Sequence, residues 1–274
     1  MFVVFNTVKP VSGPINRRRQ KKYLSSCGLR TVRNDKCLPF CILDVLDEKR
    51  GIDWKNVFDN CGRYASRIVA PRNLILPDED GLKRFVPLSM NSLLIFNTAK
   101  NIIKKSELPP DKFSITLTDR NGIYPSKVHE LLPLSSQIRI VTAFPERYSA
   151  ACANALNEHG ASLIIRPSYE ETSTPDAVIC TDSTVTSSMK NAAVFTHKRK
   201  AGGRLLFSGS GIGLLPEHLD IIPTDIDPID FAGALTELCG YTGYKNSVFS
   251  EISIGHSQCA DMSPEKCFQS FVSE

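Results

Sequence analysis

Apolar and polar positions in the second half of the chain repeat in a strand-then-helix rhythm. Phe113, Ile115 and Leu117 alternate with Ser114, Thr116 and Thr118 after the Pro109-Pro110 break, which predicts a strand within residues 111–119. Pro125 then stands at a first helical position, and Val128, Leu131 and Leu132 keep helical spacing as far as Pro133. Ile138 to Thr142 predicts a second strand. Tyr148, Cys152, Ala155, Leu156 and His159 form one stripe of a helix that runs from Pro145 to a terminating Gly160. Apolar runs at 161–165, 177–180, 193–196 and 204–207 predict four more strands. Asp227 caps and Pro228 opens a further helix that ends at Gly240. Continuously apolar strands suit a sheet buried on both faces, and right-handed β-α-β connections make such a sheet parallel. The expected fold class is therefore α/β. It combines a Rossmann-like, doubly wound, mainly parallel sheet in the C-terminal half, with helices on both faces, and a smaller mixed α+β N-terminal unit.

In the first 112 residues, strand-like runs at Val3-Val4-Phe5, Ile42 to Leu46 and Arg67-Ile68-Val69 interleave with Pro and Gly breaks. Asp53 to Cys61, stopped by Gly62, predicts a short helix. Ser89 to Lys105, carrying Leu93, Leu94, Phe96, Ile102 and Ile103, predicts a longer one. The expected division is a mixed domain over residues 1–112 and a Rossmann-like domain with a C-terminal extension over 113–274.

Composition narrows the class without naming a reaction. Hydrophobic residues make up 42% of the 274, enough for a core and against disorder. The N-terminus carries no positive residue ahead of its apolar stretch, and no apolar run approaches the roughly 18 residues that span a bilayer, which predicts a soluble, cytoplasmic protein without a membrane partner. The nine cysteines are odd in number and scattered, so free thiols are expected. Cys37/Cys41 and Cys259/Cys267 lack the spacing of a structural zinc site, and His256 with Cys259 would make only half of one. The net charge of +4 hides an asymmetry: residues 1–112 hold 21 Lys+Arg against 11 Asp+Glu, a net +10, and residues 113–274 hold 12 against 18, a net −6. Opposite signs predict two units that attract one another or face different partners. The densest basic run, Arg17-Arg18-Arg19-Gln20-Lys21-Lys22, has no interleaved aromatics and no nucleic-acid motif. It is expected to be a solvated face or a dock for acidic residues rather than an RNA or DNA arm.

Ligands of open α/β sheets settle outside the carboxyl ends of the strands, where strand order reverses. That rule selects Asp119, Asn121 and Gly122 after the first strand, Thr142 after the second, Thr181 and Asp182 after the fourth, and Ser208, Gly209 and Gly211 after the last. Asp119 and Asp182 could hold a divalent cation or accept from ligand hydroxyls, and both equally suit turn and capping roles. Gly209-Ser210-Gly211-Ile212-Gly213 resembles a phosphate loop, but its G-x-G-x-G spacing departs from the G-x-G-x-x-G of dinucleotide sites, and Pro216 falls where the helix of such a site would run. NAD(P) therefore fits the layout and not the turn. No G-x-S-x-G, H-E-x-x-H or Walker-type loop is present. Of the five histidines, His129 and His159 fall on core-side or terminal helical turns and are expected to be structural or capping. His197, beside Lys198-Arg199-Lys200, follows a strand.

The layout resembles that of two-domain dehydrogenases over half the chain, without their glycine fingerprint, and no catalytic residue carries over from them. Three functions remain open: a domain or enzyme holding a nucleotide-like or small anionic ligand at the strand ends, a non-catalytic regulatory or assembly protein on an enzyme-derived fold, and a nucleic-acid binder using the basic arm.

Overall fold

The computed structural model describes residues 1–9, 13, 15–16, 28–34, 37–46, 51–77, 81–170, 175–182, 189–198, 203–219, 221–255 and 262–273. Its α-helices include α1 (Trp54–Cys61), α2 (Met90–Lys105), α3 (Ser149–His159), α4 (Pro216–Leu219), α5 (Pro228–Cys239) and α6 (Pro264–Ser273). None of the described helices is long and apolar enough to cross a membrane. The chain forms two compact units, Met1–Met90 with Gly213–Lys245, and Asn91–Ile212 with Asn246–Glu274.

In the first unit β1 (Val3–Val8), β2 (Gly28–Asn34), β3 (Cys37–Leu46) and β4 (Ile68–Val69) make a sheet of order β2-β3-β1-β4. β3 and β4 flank β1 in parallel, and β2 closes one edge antiparallel to β3. On one face Val3, Phe5, Cys41 and Leu43 meet Val57 and Cys61 of α1. α1 begins where the Asp53 side chain accepts from Asn56 N at 3.2 Å, and stops at Gly62. On the other face Phe2 stacks on Phe40 at 5.4 Å, and Phe231 of α5 meets both rings edge-on at 5.8 and 5.2 Å. α5 has the expected ends: Asp227 accepts from Ile229 N and Asp230 N, and Gly240 is left-handed. It packs on this first sheet, although its sequence lies far downstream.

The second unit holds β5 (Ser114–Thr118), β6 (Gln137–Val141), β7 (Leu163–Arg166), β8 (Asp176–Cys180), β9 (Ala192–Thr196), β10 (Leu205–Ile212) and β11 (Phe249–Ile254). Their order is β11-β10-β9-β8-β5-β6-β7, parallel throughout except for β11. Counted from β5 the first six strands run 3-2-1-4-5-6, the doubly wound order. The α/β class is consistent with a Rossmann-like fold. The helix expected from Pro125 is a 3-10 segment, Pro125–Glu130, and the one expected from Pro145 is a 3-10 turn continuing into α3. The described parts of the connections from β7 to β10 contain no helix.

Residues paired in register across parallel strands share a face. Phe195 of β9 receives Phe268 of α6, which also meets Phe113 edge-on at 5.3 Å, so this face is apolar and helix-covered. The opposite face carries Ser114, Thr116 and Thr118 of β5 in register with Asp176, Val178 and Cys180 of β8. Tyr169 and Met189, from connecting segments, pack with Val178, Cys180, Ala192, Val194 and Leu206 there. Asp176 accepts from Ser114 Oγ at 2.9 Å and from Thr116 Oγ1 at 2.8 and 3.1 Å, while Arg139 donates to Ser114 Oγ at 3.3 Å.

Burial raises the Asp176 carboxyl above the ordinary aspartate range, against the opposing effect of these hydrogen bonds and of the Arg139 charge. An acid raised in the folded state contributes stability that is full below its unfolded pKa and is lost as pH rises through the folded value. Asp176→Asn has no such loss. The urea midpoint of the wild type should therefore fall relative to that of D176N as pH rises above about 4, the unfolded aspartate value, and parallel pH profiles would refute the assignment.

Candidate functional site

Strand order reverses between β5 and β8: β6 and β7 lie on one side, β8, β9 and β10 on the other. Loops leaving β5 and β8 therefore depart to opposite sides and frame a crevice at the carboxyl edge. The candidate residues at this edge differ sharply in how much of their chemistry is already used.

Asp119, expected as a solvated loop carboxylate, is instead 2% exposed. Its side chain accepts from Tyr124 N at 2.8 Å and from the Tyr148 hydroxyl at 2.5 Å, and its carbonyl accepts from Gly122 N at 3.0 Å. Burial, reinforced by the bond to Asp119, pushes the Tyr148 hydroxyl well above the ordinary phenol range, so it remains a donor. Gly122 has φ +60°, and a Cβ there would stand 2.8 Å from Arg147 Cδ. Arg147 also donates to the Asn121 carbonyl at 2.7 Å. Asp119, Asn121 and Gly122 thus form a turn closed from within. The chain then enters a 3-10 segment at Pro125, which has no N–H to offer an anion. This turn does not fit a dinucleotide pyrophosphate, which needs a glycine-rich turn opening an α-helix.

Asp182 serves β5 from the neighbouring strand, accepting from Thr118 Oγ1 at 3.2 Å and from Arg120 N at 2.9 Å. Successive residues of a strand point to opposite faces, so Asp119 and Asp182 brace the same turn from opposite sides and do not converge. Thr181 donates its hydroxyl to Thr118 O at 2.6 Å and accepts from Ser92 at its carbonyl. Thr142 is buried and its Oγ1 accepts from Phe144 N at 3.1 Å, an intrinsic turn contact. Of these carboxylates and hydroxyls only Asp182 is half-exposed; Asp119, Thr142 and Thr181 are buried.

The glycine-rich stretch is strand and not loop. Ser208, Gly209 and Gly211 lie in β10, where Ser208, Gly209 and Ser210 pair with Ser253, Ile252 and Glu251 of β11. A Cβ on Gly209 would fall 1.9 Å from the Phe249 ring, and Gly211, at φ +67°, would meet Ser250 Oγ at 2.4 Å. These glycines make room for β11, which explains their number without a phosphate. The only local signal for the partner strand is the short alternation Ile252-Ser253-Ile254 behind Phe249.

His197, two positions beyond the last β8–β9 register pair, is half-buried. Its Nδ1 is buried without a hydrogen-bond partner among the described residues. Burial, helped by the Lys198 charge, lowers its pKa and keeps the ring neutral. Cys180 is no nucleophile, because burial pushes its thiol up to about 12. His218 is fully buried with Nδ1 2.6 Å from the Tyr244 hydroxyl. His129 and His159 lie on the last turns of the 3-10 segment and of α3, within the expected placement, and both are exposed. The described cysteines Cys41, Cys61, Cys152, Cys180, Cys239 and Cys267 are free thiols, and no described group of three His, Cys, Asp or Glu could hold a metal ion. Arg17 to Lys22, His256 and Cys259 lie outside the described residues.

Two substitutions check these assignments. Asp119→Ala strands two buried donors and should lower stability by more than about 2 kcal/mol in urea unfolding, whereas a change near zero would return Asp119 to solvent. Gly209→Ala forces the Phe249 ring aside and should cost about 1–3 kcal/mol; an unaltered midpoint would refute the β10–β11 packing. Comparison with protein-family models, with curated proteins and with solved structures finds no match for this chain.

Proposed function

We infer that the second unit binds a small ligand, nucleotide-like or otherwise anionic, at the carboxyl edge of its parallel sheet. The observation that carries this reading is the strand-order reversal at β5 and β8, with His197, just past the adjacent strand β9, presenting a buried Nδ1 that no described residue satisfies. Arg120 is exposed directly after β5, and Lys198 follows His197, so positive groups border the crevice from two strands. Asp182 is half-exposed, and a carboxylate's two oxygens can accept from a ligand hydroxyl as well as from Thr118 and Arg120.

A non-catalytic regulatory or assembly role is the second reading. It is favoured by the internal use of Asp119 and by the packing role of Gly209 and Gly211, which together remove the most enzyme-like features of this edge.

Thermal unfolding of the full chain with NADP⁺, ATP or S-adenosylmethionine separates the two. A ligand at 100 times its Kd adds about 2.7 kcal/mol, a readily measured rise in Tm. At least one of the three should raise Tm, and His197→Gln should abolish that rise while leaving the unliganded Tm within about 2 °C, as expected for a change near 0.5 kcal/mol. If none of the three stabilises the protein, the strand-end reading falls and the non-catalytic one stands.

A further inference from the structure

One exposed arginine at the carboxyl edge of the second unit is held in place by the fold and has no counterion. Phe144 leads into α3 through the 3-10 turn Pro145–Tyr148. Side chains three apart eclipse on such a turn, so Arg147 returns over Phe144, its guanidinium carbon 4.7 Å from the centre of that ring. The same guanidinium donates to the Asn121 carbonyl at 2.7 Å. Gly122 leaves the space that the side chain crosses, because a Cβ there would stand 2.8 Å from Arg147 Cδ. A solvated arginine normally samples many rotamers, and ordering it on binding costs entropy. Here a ring, a carbonyl and a glycine have ordered it in advance.

The guanidinium presents five N–H donors in a rigid fork, and the Asn121 carbonyl takes one. Arg120 is exposed on the adjoining loop, whose carbonyl at that residue accepts from Ala143 N at 3.2 Å, and Arg147 itself reaches the residue that follows Arg120. Among the described residues neither arginine has an ion-pair partner. The nearby carboxylates do not supply one. Asp119 is buried against Tyr124 N and the Tyr148 hydroxyl, and the two oxygens of Asp182 accept from Thr118 and from Arg120 N. Successive side chains of a 3-10 turn point about 120° apart, which turns Glu146 away from the side that Phe144 and Arg147 share. Two guanidinium groups with unused donors favour an anion of more than one charge, and the planar fork matches phosphate oxygens in pairs. The backbone of this turn is closed from within, so an anion here is held by side chains. We propose that Arg147, together with Arg120, forms the phosphate subsite of the strand-end site and takes a phosphomonoester dianion. The remainder of the ligand rests on the strand-end reading; the phosphate contact does not.

Adenosine monophosphate, inorganic phosphate, adenosine and acetate are titrated at constant ionic strength into the ¹⁵N-labelled full chain. Adenosine monophosphate and phosphate should give saturable amide shifts within residues 119–123 and 142–148, with adenosine and acetate at least about tenfold weaker there, as for loss of a charge-assisted, bidentate contact. Arg147→Gln should weaken adenosine monophosphate at least about tenfold. Phe144→Leu removes the ring that fixes Arg147 without changing any charge, and should weaken binding about threefold, whereas Lys104→Gln, which neutralises an exposed cation of α2, should leave it unchanged. Absence of saturable shifts in these loops overturns the proposal, as does equal binding of acetate or adenosine, indifference to Arg147→Gln or to Phe144→Leu, or an equal loss in Lys104→Gln. The two readings fail separately. A rise in Tm with NADP⁺ that His197→Gln abolishes and Arg147→Gln leaves intact would remove the subsite and keep the strand-end site. Phosphate shifts that Arg147→Gln removes, in a protein that none of NADP⁺, ATP and S-adenosylmethionine stabilises, would keep the subsite and remove the other.

Discussion

Strand β5 has no face turned to water, yet three of its five side chains are hydroxyls. Ser114, Thr116 and Thr118 are 0%, 1% and 2% exposed. A buried hydroxyl left unpaired costs about 1–3 kcal/mol, so a strand with three of them cannot occupy the centre of a sheet unless its neighbour supplies acceptors. β8 does so from both ends. Asp176 at its start takes Ser114 and Thr116, and Asp182 just past its end takes Thr118. Pairing β5 with any apolar strand would leave these groups bare. The reversal of strand order between β5 and β8 is thus tied to specific hydrogen bonds as well as to hydrophobic burial.

That constraint shapes the chemistry of the carboxyl edge. Carboxylates at a topological switch point usually read as ligand groups, but here Asp182 holds the β5 turn and Asp119 holds the same turn from the other face. At this edge Arg120 is exposed and Asp182 half-exposed, while the Nδ1 of His197 is buried without a hydrogen-bond partner among the described residues.

How much of this was legible depended on whether a local signal was also the deciding one. Caps are local: Asp227 with Pro228, and Gly160 and Gly240 in left-handed conformation, mark their helices in sequence and in space. So are the apolar runs of β8 and β9, which bury on both faces, and the alternation of β5. The apolar signal of β10 stops at Phe207, because its second half, Ser208 to Ile212, is polar and glycine-rich and becomes strand only when Phe249 and Ser250 fill the space the glycines leave. β11 and α6 are absent from the sequence expectation. β11 has one half-exposed face, and α6 is short, with its apolar contacts concentrated in Cys267, Phe268 and Phe271. The turn at Asp119 resembles a site for the same reason it is a good cap, since a carboxylate at a strand end suits both roles and only burial distinguishes them.

The chain's path between the units could not be read from linear composition at all. The charge asymmetry points to a boundary near residue 112, but the segment Gly213–Lys245 leaves the second unit between β10 and β11 and belongs to the first. Its contribution is not peripheral. Phe231 of α5 closes over the stacked rings of Phe2, just before β1, and Phe40, on β3. Burying an aromatic side chain of this size is worth about 1.5–3 kcal/mol, so three of them rival the margin by which a domain of about 100 residues is stable. A fragment ending at residue 112 therefore lacks the helix that completes its sheet. Because this segment intervenes, β10 and β11 are not joined by a tight turn, and their pairing is a long-range contact whose register rests on Gly209 and Phe249.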